Sequence, residues 1–599
     1  MLNRKGSHMH RRLALGLFSM SLILFGCVHS QPTAESPFYP SADESRQRND
    51  YIRESNNAMV VTAHPAASRA GLSMLQQNGN AVDAAVAASF ALAVVRPHST
   101  GIGGGGFLLL HNPETRQTRA LDFRERAPLK ANRTMYLDAK GQPTDFRYGD
   151  TTVENASLNG HLAAGVPGLV AGLLALHHEQ GRLPLAVVMA PAIELAEKGF
   201  PVYPALASAL ERRKQVLATF PATRAIFFRD KKTPLKTGDT LKQKDLAWTL
   251  QQIARDGAKA FYEGAIAQKI VAEMQRAGGL ISLEDLKRYQ PIERKPVANR
   301  FLDFEILAMP PPSSGGVHIA QMLNILAGYE LNEMGWKSAS FQNLLIEAMR
   351  HAYADRAKYL GDPDFVDVPV SGLTSKAYAA KIRNRLAVGR AGDSDQVGAG
   401  NPLPYESAST THFSIVDPQG MIVTSTQTIN YSMGSGAVVP GTGIVLNNEM
   451  DDFAKKPGVP NAYGLLGSEA NQIEPGKTML SSMTPALVMR DGRPVLALGS
   501  PGGSRIITAV LQVILNRCAF RMPLADAVHA YRLHHQWRPD KVYIESLDYA
   551  PTSFRRLEAM GYNLEPTSFP IGDIQAISFE NGKIIGVSDT RGEGKPLGF

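Results

Sequence analysis

Ser409-Thr410-Thr411-His412-Phe413-Ser414 lies at a change of texture in the chain. Before it runs a polar loop, 398–408, with Gly, Pro, Asn and Ser. After it, Thr411 to Asp417 alternates as a strand does. A threonine at such a boundary can act as a nucleophile, but its hydroxyl needs a base. Cutting the bond before Thr410 would place that base on the same residue. A new α-amine has a reference pKa of about 7.7–8.0, close to working pH. Hydroxyl and N-terminal amine together form a known activated nucleophile. By themselves Thr410 and Thr411 read as ordinary strand residues; the case against that reading lies downstream.

The 599 residues are 44% hydrophobic and 20% charged, a globular composition with ample core and room for two to four domains. Net charge is +8 and the pI about 9.2, yet no long Lys/Arg run stands in the body. A nucleic-acid partner would want a concentrated basic stripe, so none is expected. Residues 1–27 read as a signal peptide: Arg11 and Arg12, then the apolar run Leu13 to Phe25, too short for a comfortable span. It closes on Leu24-Phe25-Gly26-Cys27, which looks like a bacterial lipobox with Cys27 lipidated. A plain secretory signal is the alternative. Either way the chain is expected to be exported to the periplasm, with a membrane lipid anchor in the first case. Gly6-Ser7-His8-Met9 resembles a cloning scar. Residues 28–50 read as a polar tether. The other cysteine, Cys518, reads as a core thiol.

From 51 to about 395 the pattern is mostly helical. Ala66 to Val95 is Ala-rich with Gly71 and Gly79 as breaks. Further helices are expected at Gly168–Gln180, Ala186–Lys198, Lys242–Arg255, Gly264–Ala277, Ser338–Lys358 and Ser375–Leu386, and strands at Phe107–His111, Arg119–Phe123 and Phe304–Met309. From 410 the pattern changes. Thr411–Val416 and Ile422–Thr428 flank the turn Asp417-Pro418-Gln419-Gly420, which predicts a hairpin. Strands at Ala486–Met489 and Val495–Gly499 lead to a helix at Ser504–Asn516. Such an order suggests α+β, with stacked layers around a mixed sheet.

Several motifs could carry chemistry. Gly101 to Gly106 sits between helix and strand, the wrong order for a phosphate loop, and reads as a tight turn with close backbone packing. Gly499-Ser500-Pro501-Gly502-Gly503-Ser504-Arg505 runs strand, glycines, helix; its N–H groups could hold an anion such as a tetrahedral oxyanion. It is not a nucleophile elbow, so Ser500 is a poor nucleophile. Asn447-Asn448-Glu449-Met450-Asp451-Asp452-Phe453 is dense in amides and carboxylates. With no histidine at ligand spacing it does not read as a metal site; it fits either an ammonium group or a solvated loop. Asp122-Phe123-Arg124-Glu125-Arg126 offers a fork for a carboxylate or a surface ion pair. Ser481-Ser482 could donate to a carboxylate or cap a turn. His534-His535 reads as structural.

Together these pieces resemble the γ-glutamyltranspeptidases. The resemblance is carried by Thr410 to Ser414, Leu446 to Phe453, Lys456 to Asn461, Pro501 to Arg505, Gly103 to Phe107, Asp122 to Arg124 and Met309 to Gly316, from about residue 55 to the end. It implies a four-layer αββα sandwich of the N-terminal-nucleophile hydrolase type. It implies self-cleavage between Ser409 and Thr410, giving a large subunit 51–409 and a small catalytic subunit 410–599 that form one core and stay together as a heterodimer. Thr410 would be nucleophile and, through its α-amine, base. Thr428 would hydrogen-bond it, and Gly502 and Gly503 would form the oxyanion hole. Arg124, Ser481 and Ser482 would hold the α-carboxylate of a small-molecule substrate such as glutathione or another γ-glutamyl compound. Asn430, Glu449 and Asp452 would surround its α-ammonium, and Tyr463 falls in the lid segment Pro457 to Thr478. No cofactor or metal is implied. Water or an amino acid or peptide amine would accept the γ-glutamyl group. Phe413 stands where many members have Tyr, and Glu449 where some have Gln. Two rivals are a relative with another acyl substrate, a cephalosporin acylase or a poly-γ-glutamate transpeptidase, and a non-catalytic glutathione-binding lipoprotein.

Overall fold

Alternation along the strands sorts the chain into layers. Val60, Leu108, Leu110, Phe413, Ile415 and Val423 point into one apolar core. Met59, Val61, Phe107 and Leu109, their neighbours along the same strands, point into a second. Successive side chains of a strand face opposite ways, so one sheet serves two cores. The computed structural model describes residues 48–397, 410–456, 458–567 and 569–599, all within one compact unit, Ser36–Phe599. The signal peptide, Cys27, nearly all of the tether and Ser409 lie outside the described residues.

Two seven-stranded sheets form the middle. From edge to edge the first runs Ile292–Arg294, Gln117–Phe123, Gly105–Asn112, Ile422–Thr428, Thr411–Val416, Met59–Thr62 and Lys595–Gly598. The second runs Ile52–Ser55, Lys583–Ser588, Gln575–Glu580, Arg493–Gly499, Ala486–Arg490, Phe304–Ala308 and Val297–Phe301. Every pairing within them is antiparallel, so the mixed sheet expected from the order of elements is not formed: neighbouring strands are joined as hairpins or by returns that reverse direction. The strands Thr411–Val416 and Ile422–Thr428 meet Arg493–Gly499 across the gap between the sheets.

Helices Pro65–Gln76 and Ala81–Val95 cover the outer face of the first sheet. The second is buried along its whole length; alanines at nearly every turn let it lie close to strand and neighbour. Asn80 and Asp83 close its start as a reciprocal capping box. Gly71 is needed where the first helix touches the sheet, since a Cβ there would stand 3.0 Å from Val60. Helices Gly315–Leu326, Ala339–Tyr359 and Ile506–Cys518 belong to the core on the far side of the second sheet. The result is helix, sheet, sheet, helix: the expected αββα sandwich. Cys518 is buried and its thiol is pushed up to about 12 by burial, as a core thiol should be.

The hairpin strands Thr411–Val416 and Ile422–Thr428 fall where the alternation put them. Two helices differ. The helix expected from Ser504 begins at Ile506, because Gly503–Arg505 forms a 3₁₀ turn first. The one expected to Leu386 ends at Arg383. Helix Gly315–Leu326 was not legible, since His318, Gln321 and Asn324 are buried with its apolar residues and blur the period.

Candidate active site

The turn Asp417–Gly420 folds the two central strands together in the register Thr411 opposite Gln427. That register brings Thr410, one residue ahead, beside Thr428. Their hydroxyls stand 3.5 Å apart, with Thr410 as donor. Thr428 Oγ1 also accepts the Asn430 N–H at 2.7 Å. Asn430 takes a left-handed φ of 68° and donates its side-chain amide to Asn448 O. On the side of this hairpin facing the second sheet is a buried polar network. His412 Nδ1 lies 2.8 Å from Thr426 Oγ1, and its Nε2 reaches Ser414 and Thr424. Burial pulls the His412 pKa down to about 3, so the ring is a neutral spacer and not a base. Gly499 faces that ring: a Cβ there would be 2.4 Å from His412 Cε1.

Gly499 is also the last residue of a strand aimed at the site. The chain passes through Ser500 and Pro501 into Gly502, with φ 139°, and Gly503, with φ 56°. Among the described residues neither glycine N–H is taken up by an acceptor. Two buried donors at the start of a helix are groups that can hold a negative oxygen. Gly503 lines the same cavity as Thr410; Gly502 lies one residue back from it. A side chain at Gly503 would collide with Tyr463, whose ring is 2.5 Å from the Cβ position.

The charged groups line the same small cavity. Arg124 leaves the strand Gln117–Phe123 and is almost wholly buried. Its guanidinium pairs with Asp452 at 2.5 Å and Glu449 at 3.0 Å, with Glu125 at 3.9 Å. Burial opposes the Arg124 charge, but Glu449, Asp452 and Glu125 more than offset it and hold its pKa above the ordinary arginine value. Burial raises the pKa of Glu449, of Asp452 and of Glu125, and Arg124 only partly pulls them back. The groups expected at opposite ends of a zwitterion thus bind one another here. The stretch 447–453 is buried, not solvated: Asn447, Asn448, Glu449 and Asp451 are all sealed from water. Asn447 stitches it down, donating to Gly103 O and Gly165 O. The glycine run is a close-packed turn at 101–104 that enters the strand at Gly105; a Cβ on Gly104 would be 2.0 Å from Thr428 O.

Loop 458–478 closes over the top. Tyr463 is buried and its hydroxyl donates to Asn430 O at 2.8 Å. Asn461 donates to Asp452 at 3.1 Å, and the Ala462 N–H to Asp451, itself paired with Lys455 at 2.9 Å. Ser481 and Ser482 follow on the cavity wall. Four lining residues were not anticipated: Leu465, Met483, Ile506 and, alone among them charged, Arg356, from helix Ala339–Tyr359. It continues the buried stripe Leu345, Met349 and Ala352. A cation on an otherwise apolar helix face was the available signal. His534 and His535 are structural, held by Thr508, Gln536 and Asp540. Among the described residues no three His, Cys, Asp or Glu side chains gather as metal ligands would.

Residues 67–599 match the family model described as Gamma-glutamyltranspeptidase. The chain is 45% identical over 535 residues to a glutathione hydrolase proenzyme of Escherichia coli (strain K12), covering 89% of this chain and 90% of that one. Its fold is similar to the crystal structure of a cephalosporin acylase from Bacillus halodurans, with TM-score 0.79 at 27% identity over 95% of this chain and 99% of the other. It is also similar to the crystal structure of Helicobacter pylori gamma-glutamyltranspeptidase, with TM-score 0.53 at 42% identity over 56% of this chain and 94% of that one.

Proposed function

The chain belongs to the γ-glutamyltranspeptidase family, and on that premise we propose that it is a self-cleaving glutathione hydrolase and γ-glutamyltransferase acting through Thr410. The carrying observation is one cavity that holds the Thr410 hydroxyl, the Gly503 backbone and the Arg124–Glu449–Asp452 array. Self-cleavage between Ser409 and Thr410 frees the α-amine, which takes the hydroxyl proton directly or through water. The Thr410 oxygen attacks the γ-carbonyl of glutathione or a related compound. The N–H groups of Gly502 and Gly503 hold the tetrahedral oxyanion, each worth about 3–4 kcal/mol. The leaving amine departs with the proton, and a γ-glutamyl ester stays on Thr410. Water then releases glutamate, or an amino acid or peptide amine takes the acyl group.

At the far end of the cavity the substrate exchanges partners with the protein. Its α-ammonium goes to Glu449, Asp452 and Asn430, and its α-carboxylate to Arg124, Ser481 and Ser482. A ligand with only one of these charges would leave buried groups unpaired. This favours a γ-glutamyl donor over the glutaryl chain of a cephalosporin acylase substrate, which lacks the ammonium. The anchored-lipoprotein reading for Cys27, and export to the periplasm, belong to the same proposal; an intact mass of the membrane fraction tests them.

Thr410→Ala is the decisive variant. Wild type should run on a denaturing gel as a larger and a smaller fragment, the smaller beginning Thr-Thr-His-Phe-Ser. The variant should remain one inactive chain. Cleavage and turnover in the variant would remove the assignment, and faster release of glutaryl than of γ-glutamyl anilide by wild type would remove the substrate.

A further inference from the structure

We propose that Arg356 is a specificity-determining residue, the second cation by which this site demands a carboxylate on its ligand; this rests on the γ-glutamyl reading above. Two guanidinium groups line the cavity, Arg124 and Arg356. They differ in what surrounds them. Arg124 is engaged by Asp452 and Glu449 at 2.5 and 3.0 Å. Among the described residues no carboxylate lies within ion-pair distance of Arg356. Its Nε donates to Ser314 Oγ at 3.0 Å and its Nη2 to Ser482 Oγ at 3.2 Å. Hydroxyls satisfy the hydrogen bonds of a guanidinium without neutralising it. Arg356 is 4% exposed, and a buried charge without a counter-ion is costly. Burial pulls its pKa down to about 10, which still leaves it protonated near neutrality.

The hydrogen-bond directions around Arg356 point the same way. A hydroxyl has one proton and can accept two bonds. Ser482 Oγ accepts from Arg356, so its own proton is turned elsewhere. Ser481 Oγ accepts from the Met483 N–H at 3.1 Å, leaving its proton to donate as well. Ser314 sits behind both. It accepts from Arg356 and donates to Ser481 O at 2.7 Å, while its N–H donates to the same carbonyl at 2.8 Å. Ser313 Oγ donates to Met483 O. The Pro310–Gly316 turn, which no catalytic step uses, is thus the brace that holds 481–483 and Arg356 in one array. Two hydroxyl donors and a cation that feels Asp452 only at a distance, with no ion-pair partner of its own, fit an anionic, planar group on one wall. When a donor binds, its carboxylate supplies the charge that Arg356 lacks, while its ammonium replaces Arg124 at the acids.

The test compares three p-nitroanilide donors: γ-glutamyl, glutaryl (no ammonium) and 4-aminobutanoyl (no carboxylate). In Arg356→Gln, kcat/KM for the two carboxylate-bearing donors should fall at least about 30-fold. For 4-aminobutanoyl it should stay within about threefold of wild type. Arg356→Lys keeps the charge but not the fork, and should lie between, with the same selectivity. It also serves if the glutamine variant does not fold or cleave itself. Equal loss for all three donors, or no loss for any, overturns the assignment and leaves Arg356 a packing residue. Failure of the wild type to release γ-glutamyl anilide would instead sink the function proposed above.

Discussion

Arg124 faces three carboxyl groups with one charge, and this sets the behaviour of the site at the scale of single residues. Burial raises Glu449 and Asp452, so each takes up a proton at a pH where an exposed carboxylate is still ionised. The sign follows. As pH falls, the negative charge that would hold an ammonium is lost early, above the usual range of about 4. KM for a γ-glutamyl donor should therefore rise on mild acidification, while KM for a glutaryl donor, which brings no ammonium, should not. Parallel KM curves for the two donors would refute this role. Arg124→Gln carries a second cost, since it leaves its acids without a counter-ion. A loss of about 3–5 kcal/mol in stability is expected on top of lost activity, measurable by denaturant titration. Arg124, Glu449 and Asp452 were legible because they sit in local motifs. Arg356 was not, because only packing brings residue 356 beside 482; its sole trace in the chain is a cation on a buried stripe.

Between residues and the whole molecule stand the hairpin and the loop after Gly499. The hairpin could be read from the chain, since alternation and a Pro-Gly turn are local facts. So could the tight packing of Gly101–Gly106, although not its reason, which is the Thr428 carbonyl lying where a side chain would go. What could not be read is that the two elements proposed for catalysis touch. Gly499 meets the His412 ring, so the strand after Thr410 and the strand leading to Gly502 and Gly503 are in contact there. Gly499→Ala should push them apart. About 1–3 kcal/mol of stability should go, and kcat should fall more than KM changes, because the misplaced donors act on the tetrahedral state. An unchanged kcat with a lowered melting temperature would show that the contact serves packing alone.

Over the whole molecule, each sheet draws strands from both sides of residue 410. Thr411–Val416 and Ile422–Thr428 are inserted between Met59–Thr62 and Gly105–Asn112, and Phe304–Ala308 pairs with Ala486–Arg490. The strands could be found one by one, but not their neighbours: Thr62 pairs with Lys595 across most of the chain. Behind the loop after Gly499, where its N–H donates to Ser500 Oγ at 2.9 Å, Asp573 is buried and raised to about 7 by burial first and Asp589 second. The native state then keeps a proton that the unfolded chain has lost above about pH 4. The resulting penalty is absent at low pH, grows as pH rises and is complete above about 7. Asp573→Asn should thus gain on wild type in unfolding free energy between pH 4 and 8, by up to about 4 kcal/mol; a constant offset across that range in denaturant titration would contradict it. The shared sheets also impose a schedule. A sheet whose inner strand begins at a chain end cannot be zipped together from two finished halves, since neither half owns a complete layer. Continuity through residue 410 is expected to matter while the layers assemble, and the proposed scission afterwards would change connectivity and leave the sheets as they are. The precursor is in that sense a jig: two segments made as separate polypeptides should assemble poorly, whereas the same segments, once parted inside the folded body, have nowhere to go.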